Sequence, residues 1–195
     1  MRLRNEDLRQ LQFANADLRE AEIVLSILSY ANLMSANCAN ASFAGCDLRS
    51  ANLQYANLSG CGLSGVVFQS ACLDDANLNL ARLPFFSVCP EAGRFTAFKK
   101  VRDNFILTLE IPAGAGRVSS LVGRKCRATS ALVVKAETSG GHELDDSYAL
   151  VSQHDSAFRY HLGGIAMPHD FNDDIRVECA PGIHFFMTRE EAVDY

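Results

Sequence analysis

The sequence predicts a mainly β chain in two parts. A four-sided coil of short parallel strands, about four turns long, occupies residues 1–85, and a small α+β domain occupies residues 86–195. Three observations predict this. An apolar residue recurs at every fifth position from Leu3 to Leu83. From Ala16 onward a small residue stands two places before each of them. From Cys89 the rhythm stops and strand-like alternation replaces it.

A five-residue period matches neither a helix (3.6) nor a strand (2.0). An amphipathic helix fails because each five-residue step rotates the apolar position around its axis. A square coil fits instead. Each pentad makes one side, and four pentads close a turn of about 20 residues. The large residue fills the centre, and the small one lets the wall close beside it. Stacked turns then pair backbone to backbone at about 4.8 Å, giving a column about 20 Å tall. The expected ladders are Phe13/Leu33/Leu53/Leu73, Leu18/Cys38/Leu58/Leu78, Ile23/Phe43/Leu63/Leu83 and Leu8/Leu28/Leu48/Phe68, with every rung apolar. No single turn buries its own face, so stability comes from stacking. Asn or Asp before the central residue suits a corner, where its side chain bonds local backbone. Asn37, Asn57 and Asn77 are placed to stack as an Asn ladder. Residues 1–15 are the least regular, with Glu6 and Leu11 in the small column, as expected of a terminal cap. Pro84 ends the run because it cannot donate to a strand ladder.

Units such as ANLMS, ANLQY, ANLSG and ANLNL resemble the pentapeptide-repeat family, whose pattern is A(D/N)LXX. That resemblance implies a right-handed, four-sided parallel β-helix over roughly the first 83 residues.

Beyond Cys89, Phe95–Val101 and Phe105–Ile111 read as strands, and Lys125–Glu137 as one long strand. Phe158–Leu162 and Ile183–Met187 read as short strands, and Ile165–Asp174 as irregular. Thr188 and Glu191 have capping-box spacing, so a short helix should follow. The segments CPEAGRFTAFKK, GRKCRA, FRYHLGG and ECAPGIHFFMTREEAVDY resemble an uncharacterised domain found behind short pentapeptide-repeat stretches in bacterial and phage-encoded proteins. This second resemblance implies a domain boundary and no mechanism.

Composition excludes some classes. With 48% hydrophobic residues the chain carries enough apolar side chains for a packed core. A net charge of −5 argues against bulk recognition of nucleic acid. No apolar run reaches membrane-span length, and the first ten residues lack the apolar core of a signal peptide. The expectation is a cytoplasmic protein. Its seven cysteines should be reduced thiols without a disulfide framework.

On the coil, Ala44, Gly45, Ser64 and Gly65, with Val24 and Leu25, form a flat, uncharged side. It is a candidate docking surface for another chain or for the second domain; the plainer reading is repeat composition alone. Some pentapeptide-repeat proteins mimic DNA and bind DNA gyrase. That role needs acidic columns on a long rod, whereas only Asp74 and Asp75 form an outward acidic pair here, and the expectation is against it.

In the second half, a Cys–His pair is the sharpest enzymatic option. Cys126 would be the nucleophile between Lys125 and Arg127, with His184 or His154 as base and Asp155 as orienter. Against it, alternation on a strand turns Cys126 into the core and its cations to solvent. Arg117, Arg124, Lys125 and Arg127 are a candidate anion site, with a solvated strand face as the plainer reading. A zinc site from Cys126, Cys179 and His184 lacks any local ligand spacing, and no metal or cofactor is expected. The leading expectation is a non-enzymatic interaction protein. Its rival is a small-ligand or catalytic domain around Cys126, His154, Asp155, Tyr160, Cys179 and His184, to be recognised by their convergence in a pocket.

Overall fold

The computed structural model describes residues 1–85 and 87–195 and is mainly β. The chain forms two compact units. The first comprises residues 1–85 with Leu121–Gly123 and Ile175–Glu178; the second holds Ser87–Ser120, Arg124–Asp174 and Cys179–Tyr195.

In the first unit, parallel bridges join residues twenty apart in sequence, from Asp7↔Ile27 through Asn32↔Asn52 to Gly62↔Arg82. Among the described residues of this unit, β1 (Arg2–Arg4) and β2 (Glu22–Val24) are the strands, and they pair in parallel. Every central residue from Ile23 to Leu73 is buried, as is the small column from Ala21 to Ala76. The backbone explains the five-residue step. Leu53 N–H bonds the Cys72 carbonyl at 2.8 Å, Cys72 N–H bonds the Ala51 carbonyl at 2.9 Å, and Ala56 N–H closes a turn on Leu53 O at 3.0 Å. Each pentad thus gives a bridge to the neighbouring turn of the coil and then a corner. The last residue of each pentad has positive φ, including Leu25, Tyr30, Tyr55 and Leu80. These side chains hold a conformation that normally favours glycine, at about 1–2 kcal/mol each; stacking of the turns overrides the preference. The Asn ladder forms, with Asn57 Nδ2 donating to Asn37 Oδ1 at 3.1 Å and Asn77 Nδ2 to Asn57 Oδ1 at 3.2 Å. Cys46 and Cys61 donate their thiols to the carbonyls of Ile23 and Cys38, which suits cysteine to the small column. At the last turn, Ser70 N–H bonds Val122 O and Arg176 bonds Ala76 O at 2.6 Å. Leu121, Val122 and Ile175 join the apolar cluster there.

Among the described residues the second unit has three sheets. β3 (Phe95–Lys100), β4 (Phe105–Ile111), β7 (Ala131–Thr138) and β10 (Ile165–Ala166) form an antiparallel sheet in the order β10-β7-β4-β3. β5 (Arg117–Ser119), β6 (Cys126–Ala128) and β11 (Ile183–Phe185) form another with β6 central, and β8 (Leu150–Val151) pairs with β9 (Arg159–Tyr160). The helix α1 (Arg189–Asp194) starts at the predicted capping box, where Glu191 N–H bonds Thr188 Oγ1 and Thr188 N–H bonds Glu191 Oε2.

Two expectations need correction. Lys125–Glu137 is not one strand. Thr129 leaves the line to exchange bonds with Gly116, so β6 and β7 serve different sheets. Ile165–Asp174 is not wholly irregular, since β10 pairs with Leu132 and Ala131.

Candidate functional site

The coil presents two distinct surfaces. On the small-residue side, Leu25 is half exposed and lies across Gly45. A Cβ on Gly45 would sit 2.6 Å from Leu25 Cδ2, so a side chain there would have to push the half-exposed Leu25 aside. Gly65 stacks on Gly45, whose backbone lies 3.8 Å from where its Cβ would stand, and Ser64 is exposed beside it. Val24 and Ala44 are partly covered. Elsewhere on the coil a second motif repeats that the sequence reading missed. In Asp7-Leu8-Arg9, Asp17-Leu18-Arg19 and Asp47-Leu48-Arg49, the Arg guanidinium grips the Asp two residues earlier at 2.5, 2.6 and 2.6 Å. The same carboxylates accept the Arg backbone N–H. These bonds from Arg9 and Arg19 hold the carboxyls of Asp7 and Asp17 down at about 2. Asp7, Asp17 and Asp47 therefore each carry their own cation, unlike Asp74 and Asp75, and the repeated D-L-R triplet was the available signal.

In the second unit the alternation argument fails at β6. All three of its residues are buried, because β5 and β11 flank it and both its faces are covered. Lys125 is 2% exposed and Arg127 fully buried, so neither belongs to a solvated face. Arg127 donates to the Asn172 carbonyl at 3.0 Å and to the Asp174 carbonyl at 2.7 Å. Arg117 fans over the carbonyls of Gly93, Pro112, Ala113 and Ala115 and stacks on the Phe95 ring, while Arg124 pairs with Glu191. The bonds described for these four basic residues go to separate partners, and Arg124 is exposed.

Cys126 is buried with Cys89 and Ser119, its Sγ 3.7 Å from Ser119 Oγ. The Cys89 thiol beside it and burial push the Cys126 thiol far above the ordinary range, which removes its nucleophilicity. Cys179 is exposed and accepts a bond from Lys125 Nζ at 3.2 Å. Among the described residues, Cys126, Cys179 and His184 do not form a group able to hold a metal.

The other predicted residues do converge. His154, Asp155, Tyr160 and His184 line a cleft of about 300 Å³, with Lys99, Ser152, Phe158, His169, Asp170 and the Ala180–Ile183 segment. Ser152, Tyr160 and Ile183 are buried in it, while His154, Asp155, His169 and Asp170 are exposed at its rim. His184 Nε2 lies 2.7 Å from the Ala180 carbonyl, which can only accept, so Nε2 carries the proton. Burial, helped by the charges of Lys99 and Lys125, pushes the His184 imidazole down to about 4, so it is neutral near pH 7. His154 Nε2 is 3.4 Å from the Tyr195 hydroxyl, which accepts from Lys125 Nζ at 2.7 Å.

The residue that the sequence reading missed is Lys99, 7% exposed in β3. Its ammonium lies 5.8 Å from the Tyr160 ring centre, and among the described residues no hydrogen-bond or ion-pair partner meets it. Burial and the neighbouring Lys125 lower Lys99 to about 8. The available signal was its register: Phe95, Ala97 and Lys99 share the inward face of an alternating strand. A lysine standing in an apolar register is an anomaly worth reading.

Comparison with known proteins adds the following. The family model described as "Family of unknown function (DUF5758)" matches residues 85–192, and eight copies of the pentapeptide repeat match residues 26–65. Similar solved structures include a pentapeptide repeat protein from the thylakoid lumen of Arabidopsis thaliana (34% identity, 40% of this chain, 53% of that one, TM-score 0.39). Others are a pentapeptide repeat protein from the cyanobacterium Cyanothece 51142 (30%, 43%, 56%, 0.41) and one from Nostoc Pcc 7120 (39%, 40%, 64%, 0.39). The chain spans between 53% and 64% of these relatives' lengths. No curated protein matches it.

Proposed function

The chain belongs to the family of unknown function DUF5758, here behind pentapeptide repeats, and from that premise we propose that it is a non-enzymatic interaction protein. In this reading residues 1–85 are a right-handed coil of about four turns that acts as a rigid platform. Residues 86–195 are an α+β binding module, and the protein works in the cytoplasm. The observation that carries the reading is the flat side formed by Val24, Leu25, Ala44, Gly45, Ser64 and Gly65. It bears no charge, and Gly65, exposed and without a side chain, lets a second backbone approach closely. The paired aspartates of the coil favour this over DNA mimicry, since mimicry needs unneutralised acid.

The first partner to test is a second copy of the chain, because an uncharged side avoids the self-repulsion of a net charge of −5. Gly65→Lys places bulk and charge on that side. Gly65 already has positive φ, as do Ser50, Tyr55 and Ser70 in the same column, so the coil tolerates a side chain there. Sedimentation of wild-type protein above monomer mass, reduced to monomer by Gly65→Lys with an unchanged β spectrum, supports the reading. A wild-type monomer at high concentration, or an assembly indifferent to Gly65→Lys, refutes docking through this side.

A further inference from the structure

We infer that the cleft of the second unit binds a small organic carboxylate with a flat apolar body, its carboxylate seated on the Lys99 ammonium. The inference is independent of the coil reading. A buried ammonium without a partner is costly, and proteins rarely keep one unless something else neutralises it. Lys99 is 7% exposed, and its ammonium, with the Tyr160 ring 5.8 Å away and no hydrogen-bond or ion-pair partner among the described residues, is not sealed in packed core but opens into the cleft. Lys125 and His184 stand close by, and neither can supply negative charge. Among the described residues, the carboxylates lining the cleft are Asp155 and Asp170. Both are at the rim, with Asp155 Oδ1 engaged by Ala157 N–H and Asp170 Oδ1 by Phe171 N–H. The floor is therefore electropositive and lacks an anion.

The remaining walls select the kind of anion. Ser152 is buried in the lining, and among the described residues its hydroxyl has no partner, so it can donate to the second carboxylate oxygen. Phe158 and Tyr160 pack edge to face at 5.1 Å, and with Pro168, Pro181 and Ile183 they form apolar sides suited to a planar or aliphatic body. A volume of about 300 Å³ suits a small molecule. One ammonium and one hydroxyl match a monoanion. A phosphate wants donors around three oxygens, usually guanidinium forks or backbone N–H nests. Among the described residues no arginine lines the cleft; Arg117 and Arg127 bond carbonyls, Arg124 pairs with Glu191 and Arg189 with Glu137.

The test is calorimetric titration of the full chain with benzoate, cyclohexanecarboxylate, butyrate, benzyl alcohol and inorganic phosphate. At least one of the three carboxylates should bind at least about tenfold more tightly than benzyl alcohol or phosphate. Lys99→Met should abolish that preference while unfolding as cooperatively as wild type. The wild type alone gives a second readout. The titratable groups lining the cavities with Lys99 are Lys125, His184, His154, Tyr160, Lys100 and Tyr195, with His169, Asp155 and Asp170. Of these Lys99 is the one held at about 8, so carboxylate affinity should fall between pH 7 and pH 10. The inference is overturned by failure of all three carboxylates, by equal binding of benzyl alcohol or phosphate, by unchanged affinity in Lys99→Met, or by an affinity independent of pH over that range.

Discussion

Replacing Leu53 by Ala tests the enclosed core of the coil. Leu53 is fully buried, and its neighbour Asn52 bridges both Asn32 and Cys72, so turns stack above and below it. The substitution removes three carbons, worth about 0.8 kcal/mol each, or about 2.4 kcal/mol of transfer free energy. The turns on either side are pinned by backbone bonds and cannot collapse into the space, so a cavity penalty raises the loss to about 3–4 kcal/mol. Leu80→Ala is the control. Leu80 is 84% exposed, and its loss should stay within about 0.5 kcal/mol. Urea unfolding followed by far-ultraviolet circular dichroism reads both. Leu53→Ala should lower the midpoint by roughly 1–3 M, and Leu80→Ala by little. Equal shifts for the two variants would mean that Leu53 is not enclosed, and the stacking argument would be wrong.

Further outcomes follow from the same structure. Asn57→Ala breaks a ladder bond on each side and an Asx-type bond to Ser59 N–H, so it should cost about 1–2 kcal/mol, read by the same urea titration. Lys99 is held at about 8 in the fold against 10.5 when unfolded. The unfolded chain therefore binds more protons between those values, and wild-type stability should rise across that window. Without ligand, Lys99→Met should be the more stable protein at pH 7 by up to roughly 3 kcal/mol, with the margin shrinking toward pH 10.5, measured by thermal melts. His184 is held at about 4 against 6.5, so it contributes a loss of stability as pH falls from 6.5 to 4; His184→Gln should flatten that part of the pH profile. Iodoacetamide should label Cys179 in the native protein and leave Cys126 unlabelled until the chain unfolds, as mass spectrometry of the peptides would show.

What could be read from sequence divides along a physical line. The pentads were legible because each repeat is local and the same environment recurs every five residues, so Leu53 and its ladder announce themselves. The capping box at Thr188 was legible for the same reason: its two bonds span three residues. The positive-φ column was not, because Tyr55 and Leu80 are residues that ordinary turn statistics reject at such a position. Burial of Lys125 and Arg127 was missed because alternation assumes one wet face, and β6 has none. The cleft was half legible. His154, Asp155, Tyr160 and His184 were singled out by residue type, but their assembly depends on β3, the 152–160 segment and the 180–184 segment meeting in space. Lys99 was passed over because it sits in an otherwise ordinary strand, and only the cavity in front of it gives its charge a meaning.

The stacking of turns that differ by twenty residues can be observed bond by bond. Leu53 N–H lies 2.8 Å from the Cys72 carbonyl. A through-hydrogen-bond nuclear magnetic resonance coupling should therefore appear between the Leu53 amide nitrogen and the Cys72 carbonyl carbon, with its counterpart from Cys72 to Ala51. A coupling from Leu53 to the carbonyl of Arg49, as a helix requires, would contradict the coil and everything placed on its surface.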